Sequence, residues 1–114
     1  MSERRAIKRR NFCYYMRVLE DANQQTVGYL ADITPRGFRL DSSQAWPEDK
    51  EMRLRVELTS DVSPKTHIVF QARSKWCRPD TLDPFSFNIG FEIVNISSGD
   101  GEIFQRIVEK YALP

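Results

Sequence analysis

The chain reads as a small all-β domain: six short antiparallel strands in a barrel or sandwich, followed by one amphipathic helix. Three observations predict this. Apolar and polar residues alternate with a period of two through much of the chain, turn-forming sequences interrupt the runs at short intervals, and the final eighteen residues change to a helical period. At 114 residues, 40% hydrophobic and 29% charged, the chain can bury one core and keep a polar surface.

"MRLRVEL" at 52–58 shows the alternation best: Met52, Leu54, Val56 and Leu58 lie on one face, Arg53, Arg55 and Glu57 on the other. "FCYYMRVL" at 12–19 is aromatic and apolar strand material, and "TVGYLADI" at 26–33 reads as a second strand with a bulge expected at Gly28. "GFRLD" at 37–41 is short and alternating, and "HIVFQARSKWC" at 67–77 is longer. "FSFNIGFEIV" at 85–94 places Phe85, Phe87, Ile89, Phe91 and Ile93 on one face. "DANQQ", "TPRG", "SSQAWPEDK", "SDVSPK" and "PDTLDP" are the intervening turns. Closing such a sheet into a barrel removes its exposed edges.

In "SSGDGEIFQRIVEKYALP", Ile103, Phe104, Ile107, Val108 and Tyr111 recur at helical spacing, with Ser98 or Asp100 as candidate caps. The helix is expected to cover an open end of the barrel, and Trp46 to pack. No stretch approaches a membrane span and no signal peptide is visible. Cys13 and Cys77 are far apart and in no CxxC pattern, which fits two reduced cysteines in a cytoplasmic protein, with a disulfide between them as the alternative.

Catalysis is disfavoured. His67 is the only histidine, and the chain has no HExxH, GxSxG or GxxxxGK[ST]. A non-enzymatic binding module is expected, with no cofactor. Charge indicates what it binds. Residues 1–17 carry six basic side chains against Glu3, a balance of +5; the remainder has eleven basic and fifteen acidic residues, a balance of −4. An anionic partner is expected at the basic arm, residues 1–11, ahead of a domain spanning 12–114.

The second informative stretch is "DITPRG" at 32–37. On extended backbone Asp32 and Thr34 point the same way, and Pro35 keeps Thr34 out of the helical region. Pro35 and Gly37 suit the second and last positions of a turn. A carboxylate, a hydroxyl and an unshielded backbone N–H result. Carboxylates accept from the N–H edge of guanine, and arginine forks bind guanine O6 and N7 as well as phosphate. Arm and loop together suit a guanine nucleotide with exposed phosphates.

"RRAIKR" at 4–9 contains RxxxR as Arg5 and Arg9, with Arg4 in front, and "DITPRG" fits [D/N]x[S/T]xxG. With this order and spacing the chain resembles a PilZ domain, the bacterial receptor module for cyclic di-GMP; "ARSKW" at 72–76 and "IGFEIVNIS" at 89–97 are similar to that family's later strands. Thr34 stands where serine is commoner, and Pro35 follows where a small or apolar residue is usual. The resemblance implies a six-stranded antiparallel β-barrel with a C-terminal helix, binding cyclic di-GMP on its outer surface. By that resemblance Arg5 and Arg9 take guanine and phosphate groups, Arg4 stacks on a base or contacts phosphate, and Arg10 adds a phosphate contact. Asp32 and Thr34 bond the guanine edge, the Gly37 backbone approaches closely, and Trp76 is a candidate platform for a guanine ring. The alternative for Trp76 is a core or surface packing role.

Such a module would act through a downstream protein that the sequence does not name. Two other readings stand beside it: a PilZ-like adaptor that binds only protein, and a small nucleic-acid-binding barrel. A long polyanion is disfavoured by the acidic balance outside the arm.

Overall fold

The computed structural model describes residues 16–58 and 63–111. The basic arm with Arg4, Arg5, Arg9 and Arg10, residues 12–15 including Cys13, residues 59–62, and the Tyr111 side chain lie outside the described residues. Six strands and one helix follow in order: β1 (Arg17–Glu20), β2 (Thr26–Thr34), β3 (Gly37–Ser42), β4 (Glu51–Glu57), β5 (His67–Pro79), β6 (Phe87–Ile96) and α1 (Ser98–Tyr111). The strands form a closed antiparallel barrel in the order β1-β2-β3-β6-β5-β4.

The period of two places the core. In β4, Met52, Leu54 and Val56 are buried while Glu51 and Arg53 are exposed; in β5, Ile68, Phe70, Ala72 and Ser74 point inward. Phe38 of β3 stacks on Phe91 of β6 at 5.3 Å between ring centres and meets Phe70 of β5 edge-on at 5.5 Å. Phe70 in turn meets Phe104 of α1 edge-on at 6.1 Å, so a chain of rings links barrel to helix. Phe104, Ile107 and Val108 bring the apolar side of α1 into the core, against β2 and β5. Each such side chain contributes about 1.5–3 kcal/mol when fully buried.

Two of the four buried polar residues among those described, Ser74 and Asp100, tie loop and helix to the barrel. Ser74 is fully buried, donating from its hydroxyl to the Pro47 carbonyl at 2.6 Å and accepting from the Lys50 N–H at 3.0 Å. These bonds hold the loop after β3 against the barrel, where Trp46 packs on the core. Asp100, in the first turn of α1, accepts from Lys65 Nζ and from the Val69 N–H at 3.1 Å.

Four sequence expectations need correction. The helix cap is neither Ser98 nor Asp100 but Ser97, whose hydroxyl accepts from the Asp100 N–H and whose carbonyl accepts from the Gly101 N–H. Asp100 is instead committed to Lys65 and Val69. The last strand begins at Phe87, two residues later than expected, because Asp80 and Asp83 organise residues 80–86 as a loop. Asp80 accepts from the Leu82 and Asp83 N–H groups, and Asp83 from that of Phe85. Phe85 therefore leaves the inward row and is 83% exposed. Near Gly28 the register slip falls at Val27, one residue earlier: Val18 pairs with Gly28 and Leu19 with Thr26. Gly28 is needed for another reason, since a Cβ there would collide with the Asp41 carbonyl of β3.

Arg17, counted with the basic segment, is used structurally. Its guanidinium grips the Glu57 carboxylate with two bonds, of 3.1 and 3.0 Å, across β1 and β4. On the same surface Asp21 accepts from Arg53 and Arg55. The arginine bonds hold both carboxyls below the usual carboxylate range against a smaller opposing effect of burial. For Asp100, burial is the largest effect and raises the pKa. The bonds from Lys65 and Val69 together outweigh it, and the net direction is down.

A carboxyl with a lowered pKa in the folded state stabilises the fold fully above the unfolded value, about pH 4, and loses that contribution as pH falls through the folded value. The domain is thus expected to lose stability on acidification below about pH 4. Asp100→Asn should cost about 1–3 kcal/mol at neutral pH and make the acid-side loss shallower. Urea denaturation at several pH values measures both; an unchanged acid limb in the variant would exclude Asp100 as a source of that dependence.

Candidate functional site

β2 and β3 are joined by the two-residue turn Pro35-Arg36, with Thr34 paired directly to Gly37. Neither corner has positive φ, since the described non-glycine residues with positive φ are Gln24 and Asp49. Pro35 at the first corner therefore sets a type I turn. The Thr34 hydroxyl accepts from the Arg36 N–H at 3.3 Å, and the Arg36 carbonyl accepts from the Ile93 N–H at 2.9 Å, tying the turn to β6.

Two slips in register decide what faces outward here. Between Leu30 and Asp32, β2 carries Ala31 as an extra residue against β3. Leu30 is buried, and an uninterrupted period of two would have turned Asp32 inward with it; after the slip Ile33 is buried and Asp32 and Thr34 face out. β5 repeats the device at Lys75, between Ser74 and Trp76. Ser74 points inward, and beyond the bulge it is Cys77 that packs on the core while Trp76 turns to the outer face.

The register then assembles two rows across four strands. One runs Asp32, Arg39, Gly90, Trp76; the other runs Thr34, Gly37, Glu92, Arg73. These rows flank a cleft of about 430 Å³, whose lining includes Asp32, Thr34, Gly37, Arg39, Gly90 and Trp76. All four barrel residues expected at a ligand site, Asp32, Thr34, Gly37 and Trp76, are brought together there. The arm arginines, Arg4, Arg5, Arg9 and Arg10, belong to the residues not described.

The glycines in these rows are required by close packing. A Cβ at Gly37 would collide with the Phe91 carbonyl of β6, so this residue also lets β3 approach β6. A Cβ at Gly90 would collide with Cε2, Nε1 and Cζ2 of Trp76. The indole thus lies over the bare backbone of Gly90. The Arg78 guanidinium sits 5.1 Å from the ring centre, in cation–π contact.

Charge in the cleft is mixed. Asp32 accepts from the Ile33 N–H at 2.8 Å, which fixes the carboxylate beside its own backbone. Lys75 faces Glu92 at 3.6 Å. Arg39 differs: among the described residues it joins no ion pair, and its Nε is buried without a hydrogen-bond partner. Arg36 and Arg39 both line the cleft and both escaped the sequence reading. The signal for Arg39 was present, because a two-residue turn that pairs Thr34 with Gly37 necessarily sets Asp32 opposite Arg39. His67 stands at the start of β5 and is not among the residues lining the cleft; its Nδ1 is 3.0 Å from the Thr66 hydroxyl. No group of three or more His, Cys, Asp or Glu among the described residues could hold a metal ion.

The model for the PilZ domain matches residues 3–110, a span that contains both Arg5–Arg9 and Asp32–Gly37. The chain belongs to the PilZ domain family. Among solved structures, this PilZ domain is similar to the Bacillus subtilis inhibitor of motility (MotI/DgrA), with a TM-score of 0.66 and 15% sequence identity. That likeness covers 82% of this chain and 46% of the other, so the PilZ domain spans about half of that protein, and the likeness is one of fold. No curated protein matches the chain.

The Trp76–Gly90 contact can be tested directly. Gly90→Val is expected to push the indole off the barrel and shift its emission to longer wavelength in a Trp46→Phe background. The accompanying stability loss should be about 1–3 kcal/mol. An unchanged spectrum would show that the indole does not rest on Gly90.

Proposed function

We propose that this PilZ domain is a receptor for cyclic di-GMP, binding it between the basic arm and the outer barrel face. One observation carries the proposal: Asp32, Thr34, Gly37 and Trp76, up to 44 residues apart in sequence, line one open cleft, with the Trp76 indole against the bare backbone of Gly90. The ligand's chemistry suits these groups. A guanine base offers N–H donors to the Asp32 carboxylate and a flat face to Trp76, and two phosphates offer oxygens to arginine forks.

In this reading Arg5 and Arg9 take guanine and phosphate groups, Arg4 stacks on a base or contacts phosphate, and Arg10 adds a phosphate contact. The Thr34 hydroxyl and the Gly37 backbone complete the barrel side. Residues 3–11 contain only Ala6 and Ile7 as apolar anchors, so ligand binding is proposed to fix this segment against the cleft and change the surface offered to a downstream protein. A micromolar complex needs about 8 kcal/mol. Several charged or two-pronged contacts of about 1–3 kcal/mol each supply that after ordering costs.

Calorimetric titration with cyclic di-GMP, with GTP and a short single-stranded oligonucleotide as controls, tests the proposal. Saturable binding of cyclic di-GMP alone is expected, and Arg5→Ala, Arg9→Ala and Asp32→Ala should each weaken it by about tenfold or more. Unchanged affinity in all three would remove the site assignment. No heat with cyclic di-GMP at more than one temperature would favour the protein-binding adaptor.

Amide exchange tests the arm. Residues 3–11 are expected to gain protection on addition of ligand, and equal protection with and without it would exclude the arm as the switch.

A further inference from the structure

We infer that Arg39 is a base-reading residue of this site: its guanidinium forks onto O6 and N7 of the guanine whose N1 and N2 edge meets Asp32. This rests on the cyclic di-GMP reading above and extends it to a residue outside both sequence motifs.

Three observations converge on Arg39. The first is register. Asp32 of β2 pairs directly with Arg39 of β3, and Arg39 with Gly90 of β6, which lies under the Trp76 indole. Directly opposed side chains on neighbouring strands leave the sheet about 5 Å apart on the same face. Guanine presents N2, N1, O6 and N7 along one continuous edge, two donors followed by two acceptors. A carboxylate and a guanidinium standing side by side offer the complementary order, two acceptors followed by two donors.

The second observation is the state of the side chain. Arg39 Nε is buried without a partner. No described bond engages the terminal nitrogens either, so the guanidinium head is uncommitted within the protein and an end-on fork from those nitrogens is what it can offer a ligand. The third is what the neighbouring cations do. Lys75 pairs with Glu92 and Arg73 with Glu51, whereas Arg36 and Arg39 join no ion pair among the described residues, and of these two only Arg39 stands directly opposite Asp32. Asp32 is turned to its own backbone, accepting from the Ile33 N–H. The two groups stand adjacent and unjoined, as a pair that reads a third group must.

A rigid Asp–Arg pair on the barrel also divides the labour. One guanine edge is read by side chains carried on strands, while the arm arginines supply the phosphate contacts and the remaining guanine contacts.

The test is a cycle of two proteins and two ligands. Wild type and Arg39→Ala are titrated with cyclic di-GMP and with its 7-deazaguanine analogue, which lacks the N7 acceptor. Arg39→Lys, which keeps the charge but not the fork, is run beside them. Thermal melting establishes that each variant is folded. The expected result has three parts. Arg39→Ala binds cyclic di-GMP at least tenfold more weakly. Arg39→Lys restores little of the loss. The penalty for the deaza analogue shrinks at least fivefold in Arg39→Ala relative to wild type. An equal deaza penalty in wild type and Arg39→Ala overturns the inference, as does full recovery of affinity in Arg39→Lys, which would make Arg39 a simple charge. Failure of wild type to bind cyclic di-GMP is a separate outcome that overturns the functional reading itself.

Discussion

A closed barrel of six strands has an interior wide enough for side chains and nothing else. Here that interior is filled by Phe38, Phe70, Phe91 and their aliphatic neighbours, with Phe104 of the helix added. Anything this domain recognises must therefore stand on the outer face, built from residues at alternate positions of each strand. The strict period of two would leave Asp32 and Trp76 on the wrong side of their strands. One extra residue in each strand, Ala31 and Lys75, reverses the phase locally and carries both to the outside. The cleft is thus a product of two bulges, and beyond them Ile33 is buried in the core and Cys77 packs half-buried against it, so the inward row resumes after each reversal.

The bulges also mark the limit of what the sequence shows. Six strands and a terminal helix were legible because "MRLRVEL" and its like alternate cleanly and "IFQRIVEKY" does not. Asp32 and Thr34 were legible as a pair because they lie beyond the slip at Ala31, where the period of two still holds between them. Trp76 was ambiguous for a physical reason: counting from Phe70 puts it inside, and nothing in "SKWC" announces that Lys75 is the extra residue. Phe85 misled in the opposite sense. Its alternation with Phe87 and Ile89 is real in sequence, but Asp80 and Asp83 bind the intervening N–H groups and convert that stretch to a loop. Side chains that compete for backbone hydrogen bonds override hydrophobic pattern, and Ser97 taking the helix cap from Ser98 is a milder case of the same competition.

Charge is arranged to match. Most cations of the barrel whose partners are described are already engaged: Arg17 with Glu57, Arg53 and Arg55 with Asp21, Lys65 with Asp100, Arg73 with Glu51. Individually such exposed pairs contribute little to stability, about 0–1 kcal/mol. Their collective effect is electrostatic: they cancel positive charge over the body of the domain and leave Arg36 and Arg39 in the cleft outside any described pair. A small anion approaching the barrel therefore meets uncompensated arginines at the cleft, and the acidic excess outside residues 1–17 discourages a long polyanion from spreading over the surface.

Rigid and mobile contacts contribute differently to recognition. Groups fixed on paired strands, with an indole seated on Gly90 and a carboxylate tied to the Ile33 N–H, lose little freedom when a ligand arrives. Discrimination between bases needs that rigidity, because a donor that can swing away from a mismatched acceptor penalises nothing. Phosphate oxygens look alike from every direction and tolerate contacts of looser geometry, which long arginine side chains on a short basic segment provide. A receptor that must be both selective and switchable gains from keeping these tasks on separate parts of the chain. On the proposed reading, the strands hold the reading surface constant and the arm carries the signal.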